Sequence, residues 1–117
     1  MHITLYGIPN CDTVKKARTW LAERHPETVF HDFKKQGLNA ETVATWIQQV
    51  PRDVLINKKG LTWRNLSDQR KAAIVDDASA IALMLEQPSV IKRPVLDKDG
   101  QICVGYSADQ YQQIFSA

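Results

Sequence analysis

The first thirty or so residues constrain the fold most. His2-Ile3-Thr4-Leu5-Tyr6 is rich in strand formers and ends at Gly7, with Pro9 close behind, so it reads as a strand and a turn. From about Thr13 the pattern changes: Val14, Ala17 and Leu21 recur at helical spacing beside Trp20, and Pro26 ends the run. Val29-Phe30-His31-Asp32-Phe33 then reads as a second strand. Strand, helix and strand in so short a stretch make a βαβ unit, whose strands lie parallel across a right-handed connection.

The middle of the chain is helical. Asn39 is placed to cap a helix carrying Val43, Trp46, Ile47 and Val50, with Glu41 in its first turn. Pro51 stops that helix and suits the first turn of a short one through Val54, Leu55 and Ile56. Asn57-Lys58-Lys59-Gly60 reads as a basic loop. Ser67 and Asp68 open a helix through Ala72, Ala73, Ile74 and Val75, and Asp76 or Asp77 caps another that carries Ile81, Met84 and Leu85 up to Pro88. Strand signals then return. Val90-Ile91 and Val95-Leu96 flank Lys92-Arg93-Pro94, and Asp97-Lys98-Asp99-Gly100 reads as a hairpin loop before Gln101-Ile102-Cys103-Val104. Ser107-Ala108-Asp109-Gln110 fits a capping box for a last helix striped by Tyr111, Ile114 and Phe115. The order βαβ, helices, ββα predicts an α/β, thioredoxin-like fold with a mixed four-stranded sheet. A helical insertion over about residues 38–88 forms a lid or second lobe within a single domain spanning 1–117.

Composition narrows the function classes. The 117 residues are 44% apolar and 24% charged, ordinary globular usage for one domain. A chain of that length buries roughly two-thirds of its unfolded surface. Fifteen basic residues against thirteen acidic ones leave a formal net charge of +2, too small an excess to argue for nucleic acid or a membrane surface as partner. The longest apolar run, Ala80 to Leu85, is far short of the roughly 20 residues a bilayer span needs. No secretory signal is readable in Met1 to Cys11, and two cysteines make no disulfide scaffold, so the expectation is a cytoplasmic monomer with reduced thiols. His2, His25 and His31 show no paired ligand spacing, no Cys/His cluster suggests zinc, and the glycines form no phosphate loop. No bound cofactor is expected. Trp20, Trp46 and Trp63 read as core or lobe-packing residues.

Cys11 carries the chemistry. It follows a strand and a Gly/Pro turn and stands at the start of the first helix. Thiolate is the reactive form of cysteine, and the free amides and positive dipole end of a helix start stabilise it. Lys15, Lys16 and Arg18 add positive charge within two turns. Cations there oppose the dipole by a few tenths of a kcal/mol up to about 1 each, a penalty that a thiolate or a bound anion offsets. Asn10 and the amides of Thr13 and Val14 are the groups placed to hold a negative sulfur. Asp12 tunes the first turn and is not read as a general base.

Val14, three residues on, denies a C-x-x-C pair, and Cys103 lies between Ile102 and Val104 as a buried core thiol. An external thiol is therefore the expected resolving partner, and glutathione, abundant and anionic, is the candidate. Arg93-Pro94 is the second signal: X-Pro bonds can be cis, Pro94 can expose backbone to a peptide-like ligand, and Arg93 offers a planar charged fork for a carboxylate or oxyanion. Spacing alone leaves an edge-strand proline beside a surface arginine equally open. Lys58, Lys59, Arg64, Arg70 and Lys71 read as a solvated face, with the Lys58 loop able to hold a glutathione carboxylate.

The run Tyr6-Gly7-Ile8-Pro9-Asn10-Cys11-Asp12-Thr13-Val14-Lys15-Lys16-Ala17-Arg18-Thr19-Trp20-Leu21, together with Ile91-Lys92-Arg93-Pro94-Val95-Leu96, resembles the ArsC/Spx family, and within it the YffB-type subgroup. The resemblance extends over essentially the whole chain, including the insertion and the Gln87-Pro88-Ser89 run. It implies a thioredoxin-like fold with a helical subdomain, a nucleophilic Cys11, and an Arg93 that precedes the family's cis-proline, Pro94, and points toward the cysteine. Arsenate reductases of this family hold the oxyanion with three arginines and pass through a glutathione adduct that glutaredoxin restores. Only Arg93 is kept here: the second position falls near Asn57, beside Lys58, and the third near Val104. The Spx branch, a regulator that binds RNA polymerase, carries a C-x-x-C switch that Val14 replaces. The resemblance thus implies a glutathione-dependent monothiol reductase acting through a Cys11 mixed disulfide, with glutathione, a small disulfide, glutaredoxin or a protein disulfide as partner. Arsenate reduction and Spx-like regulation are its alternatives.

Overall fold

Alternation decides the first strand. In β1 (Ile3–Gly7), Ile3, Leu5 and Gly7 are buried while Thr4 and Tyr6 are half-exposed, the period of two that a strand with one covered face requires. The structure, a computed structural model, is described for residues 1–116. Helix α1 (Asp12–Arg24) buries Val14, Ala17, Trp20 and Leu21, and Arg24 sits in its last turn where a cation suits the dipole. Strand β2 (Val29–Asp32) lies parallel to β1, with Leu5 opposite Phe30 and Tyr6 opposite His31. Phe33 is not the end of that strand, as its aromatic character predicts. It opens a one-turn helix, α2 (Phe33–Gln36), because the Asp32 carboxylate accepts from the Lys34 and Lys35 amides at 3.1 and 3.3 Å and turns the chain.

Two compact units follow from the chain path. One is made of Met1–Gln36 and the chain from Arg93 onward, the other of Gly37–Lys92. The second unit is helical throughout. Asn39 caps α3 (Ala40–Gln49) by accepting from the Thr42 amide at 2.8 Å, and α3 buries Val43, Trp46 and Ile47. Pro51 precedes α4 (Arg52–Leu55), and a short α5 (Leu61–Arg64) extends the basic loop into a turn that the composition does not foretell. Ser67 caps α6 (Asp68–Ala72), which stops before Ile74 and Val75; Val75 is exposed, so nothing holds the helix further. Asp76 and Ser79 form a reciprocal cap on α7 (Asp77–Glu86), which packs Ala80, Leu83 and Met84 toward α3. Val90 and Ile91, expected in a strand, belong instead to a 3-10 turn (Pro88–Val90) and an isolated bridge between Ile91 and Ile56.

The chain returns to the first unit to finish its sheet. Strand β3 (Val95–Lys98) runs antiparallel to β1, with Leu96 opposite Leu5, and β4 (Gln101–Val104) runs antiparallel to β3, giving the order β2-β1-β3-β4. The hairpin loop is shorter than the sequence suggests. Asp97 and Lys98 stay in β3, and only Asp99 and Gly100 turn, both at positive φ (50° and 90°), with the Asp97 carboxylate accepting from the Gly100 amide at 2.8 Å. Ser107 caps α8 (Ala108–Phe115) at the Gln110 amide. Ile3, Leu5, Ala17, Trp20, Leu21, Leu96, Cys103 and Tyr111 make the unit's core, where the Trp20 and Tyr111 rings meet edge to face at 5.5 Å. Among the described residues no helix is long and apolar enough to cross a membrane.

Candidate thiol site at the start of the first helix

Cys11 is the N-cap residue of α1. Its backbone is extended (φ −121°, ψ 124°), its carbonyl accepts from the Lys15 amide at 2.9 Å, and its thiol makes no capping hydrogen bond. Serine, threonine, asparagine or aspartate in that position normally spends its side chain on the first-turn amides. Here the sulfur is half-exposed and uncommitted, above a turn whose Asp12, Thr13 and Val14 amides have no partner inside the helix. Asn10 and Thr13 are exposed on either side of it, and Lys15 is exposed one turn further on.

Strand register brings the second motif to the same end of the sheet. Gly7 pairs with Asp32 across β1 and β2, and Tyr6 with Val95 across β1 and β3. Continuing that register sets Pro94 opposite Gly7, and Gly105 on the far side donates its amide to the Pro94 carbonyl at 2.9 Å. Asp32, Gly7, Pro94 and Gly105 thus form one row at the edge from which the Cys11 turn leaves. The Arg93–Pro94 bond is cis, as the resemblance implies. Pro94 is buried and Arg93 half-buried.

Gly7 is the residue that sequence reasoning undervalued. Read as a turn former, it is required for close approach: a Cβ there would lie 2.9 Å from Val14 Cγ2 and 3.2 Å from Val14 Cγ1. Val14 is fully buried. The missing side chain therefore lets the first turn of α1 press against the end of β1, which fixes the height of Cys11 above the sheet. A glycine between a strand and a Pro-containing turn is the signal that points to it.

The other thiol has the opposite setting. Cys103 is 8% exposed on β4, opposite Leu96, and receives a hydrogen bond from Gln110 Nε2 at 2.8 Å. Burial pushes its pKa up, against a smaller pull down from Gln110. Beside it the Tyr111 hydroxyl is buried with no hydrogen-bond partner, and burial, then Cys103 and Tyr106, push the phenol upward as well.

Lys58 does not belong to this unit. It lies in the helical one, where its ammonium meets Asp53 at 3.0 Å and sits 5.4 Å from the Trp63 ring centre. Arg70 of the same basic stretch is likewise engaged, with Glu86 at 2.6 Å, and Arg52 before it meets Asp77 at 3.2 Å. Two cations of the stretch, Lys58 and Arg70, are thus held in exposed ion pairs. Within the first unit, Arg93, Pro94, Asn10, Thr13 and Lys15 share with Cys11 the C-terminal edge of β1 and the start of α1.

A mixed four-stranded sheet with a cysteine capping the helix after β1 and a cis-proline leading into β3 defines a thioredoxin-like protein. The family model described as "ArsC family" matches residues 6–114, and the chain belongs to that family, whose fold is that of arsenate reductase-like thiol oxidoreductases. It is 45% identical to a solved structure described as a YFFB protein, at a TM-score of 0.89 over 95% of this chain and 96% of that one. An arsenate reductase (ArsC) related protein from Brucella melitensis is 48% identical, with a TM-score of 0.74 over 100% and 97%. A global transcriptional regulator, Spx 2 of Lactococcus lactis, is 29% identical over 92% of this chain and 82% of its own length.

Proposed function

We propose that the protein is a cytoplasmic, glutathione-dependent thiol–disulfide oxidoreductase working through Cys11 alone. The observation that carries the reading is a half-exposed thiol at the N-cap of a 13-residue helix, not spent on capping, at the sheet edge shared with Pro94. In the reaction, Cys11 thiolate attacks the glutathione sulfur of a mixed disulfide. The Cys11–glutathione bond forms, the old sulfur–sulfur bond breaks, and the departing thiolate takes a proton from water. A second glutathione thiolate then attacks the bound glutathione sulfur, releases glutathione disulfide and returns Cys11 as thiolate. Asn10 and the Thr13 and Val14 amides stabilise charge on the sulfur, with Lys15 adding to the local field. Arg93 orients a carboxylate of the bound tripeptide, and Pro94 borders the backbone of the ligand.

Val14 stands where a C-x-x-C pair would place its second thiol, so the resolving sulfur comes from solution. The test is mass spectrometry after incubation with glutathione disulfide. One adduct per chain is expected, lost in Cys11→Ser and kept in Cys103→Ser; an adduct on Cys103, or none, would overturn the reading. Two other readings rest on relatives. Arsenate reduction would use the same adduct, but the position near Val104, where the resemblance implies an oxyanion arginine, is apolar, and no turnover of arsenate with glutathione and glutaredoxin is expected. Regulation by protein binding follows the Spx likeness, and an inert Cys11 would favour it.

A further inference from the structure

Along α1 one stripe connects the thiol to a cleft. Residues four, seven and eleven positions after Cys11 fall within about 60° of it around a helix of 3.6 residues per turn. They are Lys15, Arg18 and Ala22. Lys15 and Arg18 are exposed, and no carboxylate pairs with either among the described residues. The Arg18 guanidinium carbon lies over the Phe30 ring, 4.0 Å from its centre, at the wall of a cleft of about 200 Å³ between α1 and β2. Leu21, Ala22, Pro26 and Phe30 give that cleft its apolar lining. The acidic residues of α1 are off the stripe: Asp12 and Glu23 project about a quarter-turn away. Glu27 is engaged with His25, 3.8 Å from its Nδ1.

We propose that this stripe is a docking track for an extended acidic peptide, and that the substrates of Cys11 are therefore protein–glutathione mixed disulfides whose cysteine is flanked, in one chain direction, by acidic and then apolar side chains. The inference rests on the thiol-exchange reading above and names its substrate class. Spacing sets the pattern. Helix rise places Lys15 about 6 Å, Arg18 about 10 Å and Ala22 about 16 Å from Cys11 along the axis. An extended chain advances about 3.3 Å per residue with its side chains leaving alternate sides, so acidic side chains two and three residues from the substrate cysteine come level with Lys15 and Arg18, which flank the stripe about 60° apart around the helix. A side chain five residues away, level with Ala22, reaches the cleft. Two unpaired cations beside an apolar slot select an acid-then-apolar segment and disfavour a basic one. In the exchange itself, the Cys11 sulfur bonds the glutathione sulfur, the peptide sulfur leaves and is protonated, and a second glutathione releases glutathione disulfide.

The test uses the glutathione mixed disulfide of the hexapeptide Cys-Gly-Glu-Glu-Gly-Phe, of its reversal, and of analogues with Lys for Glu or Gly for Phe. One of the two acidic directions is expected to react with kcat/KM about tenfold above its Lys analogue and about fivefold above its Gly analogue, the scale of two rim ion pairs and one buried ring. Arg18→Gln is expected to remove most of the Glu-over-Lys preference. Ala22→Trp, which fills the cleft, is expected to remove the Phe preference while exchange with glutathione disulfide itself changes less than twofold. Equal rates for all peptides would overturn the track and leave the thiol chemistry standing. If no disulfide is exchanged, the unreactive Ser-Gly-Glu-Glu-Gly-Phe and its reversal decide the docking separately. Amide shifts at Arg18, Ala22, Thr28 and Phe30 that the Lys analogues do not produce would support it, and their absence would overturn it. Shifts produced by phenylacetate but by neither peptide, or self-association by sedimentation that Arg18→Gln abolishes, would assign the cleft to another occupant and overturn the proposal.

Discussion

The β1–α1 turn and the β4–α8 corner each hold one of the two thiols, and they treat it in opposite ways. At the first, the chain turns at Gly7 and Pro9 and leaves Cys11 half-exposed on a helix start, with amides unclaimed around it. At the second, Cys103 lies within the strand, flanked by Leu96 and Gln110 and closed over by α8. The first setting leaves the thiol open to a second molecule; the second penalises charge on sulfur and closes the thiol off. Position in the fold, not residue type, separates an accessible thiol from one that fills the core.

The contrast can be broken first at the sulfur. Cys11→Ser is expected to lower glutathione disulfide exchange at least a hundredfold, while Cys103→Ala leaves it within twofold, read by the rate of mixed-disulfide formation (the factor being the scale on which a nucleophile's loss is felt, about 10² or more). With iodoacetamide at neutral pH, Cys11 is expected to be modified about a hundredfold faster than Cys103 in the folded protein, a gap that closes in denaturant. Peptide mass mapping over time checks it. Gly7→Ala should act on the first region alone, costing about 1–3 kcal/mol by forcing Val14 aside and slowing exchange at Cys11. Equilibrium denaturation of that variant beside its exchange rate separates the two effects.

The smallest effect sharpens the second region. A buried hydroxyl without a partner is a net cost, so Tyr111→Phe is expected to raise stability by about 1 kcal/mol. The same corner predicts alkaline sensitivity. Cys103 and Tyr111 both have raised values in the fold, so the folded chain keeps protons that the unfolded chain releases once the pH passes the ordinary thiol and phenol values, about 8.5 and 10. Their contribution is complete below those values and is lost as the pH rises above them toward the folded-state values. Denaturant midpoints should fall in that window, and less steeply in a Cys103→Ala, Tyr111→Phe double variant.

Much of this architecture is legible in the residues because local and global signals agree. The β1 alternation, the Val14-Ala17-Leu21 stripe, and the Asn39 and Ser107 caps each have one good structural answer, and the chain adopts it. Legibility fails where a side chain overrides a propensity. Phe33 looks like strand until the Asp32 carboxylate takes the next amides. Leu61 begins a helix while being 69% exposed, so no apolar stripe announces it. Ile91 has strand character but meets only Ile56 in a single bridge. At the thiol, the cap position of Cys11 and the cis peptide before Pro94 were readable from motif. The closeness of Gly7 to Val14, the Arg18 stack on Phe30 and the ion pair that engages Lys58 depend on tertiary contacts that no linear pattern carries.

The sheet draws its central pair from distant parts of the chain, Leu5 against Leu96. During synthesis β1, α1 and β2 therefore leave the ribosome with one side of β1 open, and the whole helical unit must follow before β3 arrives to close it. Until then the nascent chain has a helix start with a thiol but no Pro94 beside it. The segment from Arg93 to Val104 is thus a late latch: it completes the hydrogen-bonded ladder and the thiol's surroundings in the same event, so assembly of the fold and completion of the Cys11 environment are one step.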